Sequence, residues 1–162
     1  MPYRKILVPV DYSPSSVQAF AEAVKLARAL GSRLSVLHVR PAPTGSGTTS
    51  ELSVPVESEA ANTTFHGLLD AARKELGDRV EVLAVDGEPA AQILEQAARA
   101  EHDLIVMGTH GRVGRLHMLV GSVAQGVMRN ASCPVLTVRV SDGSEETLKD
   151  RLRGGSRVDE RG

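Results

Sequence analysis

The chain is poor in aromatic rings. Aromatic side chains make up 2% of its 162 residues, two Phe and two Tyr with no Trp, while hydrophobic residues reach 41%. Its core must therefore be aliphatic, built from Val, Leu, Ile and Ala. An excess of one charge is also missing, since the formal net charge is -1. Nucleic-acid modules usually carry a basic excess, so no nucleic-acid partner is expected. A single cysteine, Cys133, excludes an internal disulfide framework and fits a reducing compartment. Long apolar runs are lacking too. MPYRKILVPVDYS opens with charge and holds only the run ILVPV before Asp11, too short for a signal peptide's apolar region or a membrane span. The expectation is a cytoplasmic protein with no membrane partner. In that setting the glycosylation-like triplets at Asn62 and Asn130 are chance matches.

What is present alternates. Five β-like runs, KILVPV (5–10), RLSVLHV (33–39), RVEVLAV (79–85), DLIVMG (103–108) and PVLTVRV (134–140), are separated by helical patterns. The first and fourth are nearly continuous apolar runs, as strands buried on both faces of a parallel sheet should be. Val17, Phe20, Val24, Ala27 and Leu30 fall on one helical face, as do Phe65, Leu68, Leu69, Ala72 and Leu76. PAAQILEQAARA (89–100) and a shorter pattern at 122–130 complete the set. Ser13-Pro14 and Glu88-Pro89 read as helix starts, and Gly31 and Gly77 as helix ends. The length suits one domain, and strand–helix alternation means an α/β domain with a parallel sheet and helices on both faces. Residues 41–58, rich in Pro, Gly, Ser and Thr, read as a mobile surface loop, and the polar stretch 141–162 as a disordered tail with one helical turn near 145–152.

In such a sheet, ligands bind beyond the carboxyl ends of the strands, where the strand order reverses. The first and fourth strands both end unusually, in VDYSP and in GTHGRVGRLHMLVGS (108–122). Gly108 and Gly111 allow close backbone approach to a ligand and positive φ, so that several N–H groups can converge. Gly121-Ser122 precedes the final helix, whose N-terminal amides suit an anion, and the Ser122 hydroxyl can cap that helix or donate to phosphate. His110, Arg112, Arg115 and His117 add polar or positive side chains. A polyphosphate best suits the set. The Walker pattern GxxxxGK[ST] is absent, no lysine lies between 108 and 122, and no GxGxxG follows the first strand.

Gly108-x2-Gly111-x9-Gly121-Ser122 matches the G-x2-G-x9-G-[S/T] signature of the universal stress protein family. KILVPVDYS, DGEPAAQIL (86–94), DLIVMGTHGR (103–112) and NASCPVLTVRV (130–140) also resemble that family's segments, so the resemblance spans about residues 3–140. It implies a Rossmann-like doubly wound five-stranded parallel sheet, order 3-2-1-4-5, over a nucleotide-binding domain at 1–140, and it implies ATP binding. By position, Pro9, Val10 and Asp11 would flank the nucleoside, Val39 would pack on adenine, and Met107 would lie close by. Gly108, His110, Gly111 and Arg112 would wrap ribose and phosphates, and Gly121, Ser122 and Val123 would complete the phosphate site. A homodimer through the strand at 134–140 is implied as well.

Each of these residues also has a plainer reading. The glycine loop can be a turn filling space, Asp11 a cap for the first helix, and Arg115 and His117 solvated loop residues. His38 reads as a satisfied sheet histidine, His66 and His102 as surface residues, and Cys133 as a buried small residue. No spacing suggests a protein-held metal. Two functions from different classes follow. One is an ATP-binding stress-response regulator, a nucleotide-dependent homodimeric switch with slow or no hydrolysis. The loop offers no dedicated carboxylate base, and any Mg2+ would rest mainly on phosphates, water and Ser122. The other is a nucleotide-independent interaction module with a structural glycine loop.

Overall fold

A computed structural model describes residues 2–41, 59–109 and 120–140. The expected loop beyond residue 41 and the expected tail lie outside them, as do His110, Gly111, Arg112, Arg115 and His117. Strands β1 (Lys5–Pro9), β2 (Arg33–Arg40), β3 (Val80–Asp86), β4 (Leu104–Gly108) and β5 (Val135–Val138) alternate with helices α1 (Pro14–Leu30), α2 (Glu59–Leu76), α3 (Pro89–Arg99) and α4 (Ser122–Asn130). The strands form one parallel sheet in the order β3-β2-β1-β4-β5. Both the parallel sheet and its order match the expectation.

Period-two alternation sorts the strands onto two cores. Ile6, Val8, Leu34, Val36, Leu104 and Val106 face α1 and α2, where Phe20, Ala23 and Ala27 meet Phe65, Leu69 and Ala72. Leu7, Leu37, Ile105 and Met107 face α3 and α4, meeting Ile93, Ala97, Ala124 and Val127. The second core is wholly aliphatic and thioether, as the composition requires. The scarce rings gather in the first: Phe65 lies 5.3 Å from Phe20 and 5.2 Å from Tyr12.

Local signals set the helix ends. Ser13 caps α1 by accepting from Ser16 N–H, and Glu88 caps α3 by accepting from Ala90 and Ala91 N–H, each just ahead of a proline in the first turn. Gly31 ends α1 in the left-handed region at φ 72. Gly77, at φ 58, follows α2 and opens a short 3-10 turn. The edge strand β5 is shorter than the run 134–140. Pro134 has no N–H for the ladder, and β4 is exhausted where Gly108 pairs with Val138. Asp103 stands just outside β4, where its carboxylate accepts from Arg4 N–H (2.7 Å) and Lys5 N–H (2.9 Å) to clamp the start of β1.

His102 corrects the sequence reading: it is no surface residue but only 7% exposed. Its Nε2 lies 2.9 Å from Ser35 Oγ, and the Ser35 hydroxyl donates to the cross-strand Glu81 carboxylate. Nδ1 sits 3.3 Å from the Gln96 carbonyl, so the buried ring has a polar partner at each nitrogen. His38 is the satisfied sheet histidine expected, with its Nδ1–H donating to the Val10 carbonyl at 2.9 Å. Cys133 packs against the α3/α4 core. Burial, with the Asp103 carboxylate adding to it, pushes its thiol above the ordinary value, as befits a packing residue.

Burial holds the His102 pKa below its ordinary 6.5, outweighing the Gln96 carbonyl and Glu81, which pull the other way. The unfolded chain therefore takes up this proton first as pH falls. Stability should drop as pH descends from about 6.5 through the lower folded-state value. Urea titrations across that range should show the drop, and His102→Gln should flatten it.

Candidate functional site

The sheet order reverses between β1 and β4, and the chain beyond both strands converges there on a cavity of about 290 Å³. β1 ends at Pro9, and Val10 N–H makes a final rung to the Leu37 carbonyl at 2.8 Å. The backbone then turns sharply. Asp11 Oδ1 accepts from Ser13 N–H (2.9 Å), and Tyr12 between them takes φ 62, a left-handed conformation costly for a side chain of this size. Packing of the Tyr12 ring on Phe65 and His38 offsets that strain. Asp11 is thus not the cap of α1; Ser13 is. Asp11 organises the turn instead and stays half-buried at the cavity.

On the β4 side, Thr109 N–H donates to the Val138 carbonyl (3.2 Å), and the Thr109 carbonyl accepts from Gly121 N–H (2.6 Å). These two bonds fix the start of α4 against the sheet. Gly121 is the N-cap of α4, among the described residues no side chain caps that helix, and Ser122 occupies its first turn. The expected capping role of Ser122 is therefore corrected, since a side chain in the first turn stands past the cap position. Ser13 and Glu88 satisfy the amides of α1 and α3. The first turn of α4 instead borders the cavity, where Gly121, Ser122, Val123 and Ala124 form one wall.

On the β2 side, Leu37 and Val39 line the cavity with Pro89 and Ile93 from α3, and Met107 completes this apolar region. Among the described lining residues, Asp11 is the one ionisable side chain. The site therefore has an apolar end under β2 and α3, a donor-rich end at α4, and a carboxylate on the turn after β1 between them.

Of the residues singled out from sequence, Pro9, Val10, Asp11, Val39, Met107, Gly108, Gly121, Ser122 and Val123 all border this one cavity. His110, Gly111 and Arg112 lie outside the described residues. Sequence reasoning missed Ser13, Ser16, Leu37, Pro89, Ile93, Thr109 and Ala124, which also line it. Leu37 was within reach, since it shares a strand face with Val39 two residues on. Pro89 and Ile93 come from a helix whose distance from β1 no local pattern reveals.

Gly108 has a different reason for being glycine than sequence suggested. It is not among the positive-φ residues. A Cβ there would stand 2.4 Å from Ser15 Oγ, 2.7 Å from Ser15 C and 2.8 Å from Ser16 N. The missing side chain lets β4 pass beneath the first turn of α1.

The sequence model of the universal stress protein family matches residues 2–139. The chain belongs to the universal stress protein family. It is 35% identical over 147 residues to the universal stress protein YxiE of Bacillus subtilis, covering 85% of this chain and 99% of that one. Among solved structures, the universal stress protein UspA from Lactobacillus plantarum aligns with TM-score 0.65 and 30% identity, over 86% of this chain and 99% of that chain. The universal stress protein from Archaeoglobus fulgidus in complex with dAMP aligns with TM-score 0.55 and 28% identity, over 85% and 99%.

Because the atoms facing Gly108 are largely backbone, they cannot rotate away. Gly108→Ala in this family member should cost about 3 kcal/mol, the upper end of ordinary overpacking, read as a lower urea midpoint at unchanged m.

Proposed function

We propose that this universal stress protein is an adenine-nucleotide-binding regulator that holds ATP, with slow or no hydrolysis, and works as a nucleotide-dependent homodimeric switch in the cytoplasm. The observation that carries the reading is the start of α4, an uncapped helix N-terminus facing a cavity whose other end is apolar. Unpaired amides and the helix dipole suit phosphate. Leu37, Val39 and Ile93 suit a base, and Asp11 between them suits a ribose hydroxyl or a base amine. A carboxylate there would repel phosphate, which fixes the direction of the ligand. The relative solved with dAMP supports an adenine nucleotide as the ligand class.

Gly121 strengthens the case. Its dihedrals, φ -70 and ψ 162, are open to any residue, so backbone conformation does not call for glycine. Room for phosphate is the reason this reading gives for it. The Gly108 contact gives the structural-loop alternative one glycine of the signature. His110, Gly111 and Arg112 are proposed to complete the enclosure of ribose and phosphates. Among the described residues no cluster of His, Cys, Asp and Glu could hold a metal ion. Any Mg2+ accompanying ATP would then rest mainly on the phosphates, water and the Ser122 hydroxyl. Nothing in the described cavity acts as a base at the phosphate end, which supports slow turnover or none.

The second copy of the chain is proposed to pair along β5. This is an edge strand, and its Leu136 is 42% exposed. Among the described residues no helix is long and apolar enough to cross a membrane.

Gly121→Val puts a branched side chain where phosphate should sit. By isothermal calorimetry it should weaken ATP and inorganic triphosphate alike by at least about tenfold, some 1.4 kcal/mol, with circular dichroism and urea midpoint kept. Unchanged ATP affinity would remove the α4 assignment. For the dimer, Leu136→Lys should lower the sedimenting mass towards one copy. A variant that still sediments as a dimer would rule out β5 as the interface.

A further inference from the structure

We infer that His38 is a positioning residue for the bound nucleotide: from the far face of the sheet, its ring holds the turn that presents Asp11 to the cavity. The inference rests on the nucleotide reading of the site and adds a residue that does not line it. Leu37 and Val39 face the cavity, while His38 between them points to the α1/α2 side, as strand alternation requires.

On that side three observations meet. A carbonyl can only accept, so His38 donates from Nδ1–H to Val10 O at 2.9 Å, which extends the tie between β1 and β2 past the Leu37 rung. Val10 thus has both backbone groups bound, the N–H by backbone and the C=O by a side chain. The His38 ring also packs against Tyr12, centroids 5.0 Å apart and tilted by 52°. Tyr12 is the left-handed residue on which the turn pivots. Asp11 lies between these two anchored residues, and its own N–H reaches Ser16 Oγ at 3.3 Å.

A half-exposed aspartate on a strained turn would otherwise sample several orientations, and each unproductive one would weaken the contact with the nucleoside. The His38 ring closes off that freedom without touching the ligand. The phosphate end at α4 is held separately, through Thr109 and Val138. Loss of His38 should therefore affect the nucleoside end alone.

The test measures affinity of the full chain for ATP and for inorganic triphosphate by calorimetry, with urea midpoints alongside. His38→Leu should weaken ATP about five- to tenfold, the loss expected from one hydrogen bond and the order it imposes, and leave triphosphate unchanged. His38→Asn, whose side-chain N–H can replace Nδ1–H, should restore most of the ATP affinity. A purely structural role would lower the urea midpoint while keeping the ratio of the two affinities. Equal losses for both ligands, no loss for ATP, or failure of His38→Asn to recover would each overturn the assignment. If His38→Leu does not fold, His38→Phe, which keeps a ring against Tyr12 and loses the Nδ1–H donor, takes its place: a fivefold loss confined to ATP upholds the inference, and no loss or equal losses for both ligands overturn it. Should the unmodified chain bind neither ATP nor triphosphate, the nucleotide reading itself falls and takes this inference with it.

Discussion

Gly108 touching the first turn of α1 is the constraint on which the site depends. β4 ends with its backbone against Ser15 and Ser16, at a separation that leaves no room for a Cβ. That contact draws the end of β4 towards the start of α1. The Asp11 turn, Thr109 and the start of α4 then crowd round one crevice instead of fanning out from separate strands. A doubly wound sheet guarantees a gap where its strand order reverses. How wide the gap is depends on how closely the flanking elements pack, and here a single absent side chain sets that spacing.

Within the crevice, the helices are treated unequally, and the inequality produces the chemistry. α1 and α3 begin under side-chain caps, so their positive ends are already answered by Ser13 and the Glu88 carboxylate. α4 begins with Gly121 and no side-chain cap. A helix start in contact with solvent would be satisfied by water; this one lines a cavity whose remaining surface is largely aliphatic. The low polarity of those walls strengthens the attraction of the free amides for an anion. The Asp11 carboxylate would repel the same anion from the middle of the site, and these two opposed charges support the proposed direction of the nucleotide.

The two ends of the sheet divide labour. At the amino ends of the strands, His102, Ser35, Glu81 and Asp103 form networks that pin β1, β2, β3 and the end of α3 together. At the carboxyl ends, polar groups are left reaching into open space, and strain at Tyr12 is tolerated because ring packing holds it.

Features governed by neighbours in sequence were legible without coordinates. Alternation of aliphatic runs with helical patterns implied the parallel α/β architecture. Ser13-Pro14, Glu88-Pro89 and Gly31 marked helix ends because capping and left-handed backbone are properties of a few consecutive residues. The resemblance to family segments along the chain, not the 108–122 signature alone, brought nine of the sixteen described lining residues together in advance. Tertiary structure alone decided the rest. His102 reads as polar in sequence, yet it is buried because Ser35, sixty-seven residues away, stands within hydrogen-bonding distance of its Nε2. β5 is cut short by the length of β4, its only sheet partner among the described residues. Pro89 and Ile93 reach the site from a helix packed across the sheet, and Gly108 is glycine on account of α1. Sequence by itself determined which elements form, because hydrogen-bonding and φ/ψ preferences act within a turn or two. Folding decided which residues meet and at what distance, because steric contact and burial depend on chain segments that sequence keeps far apart.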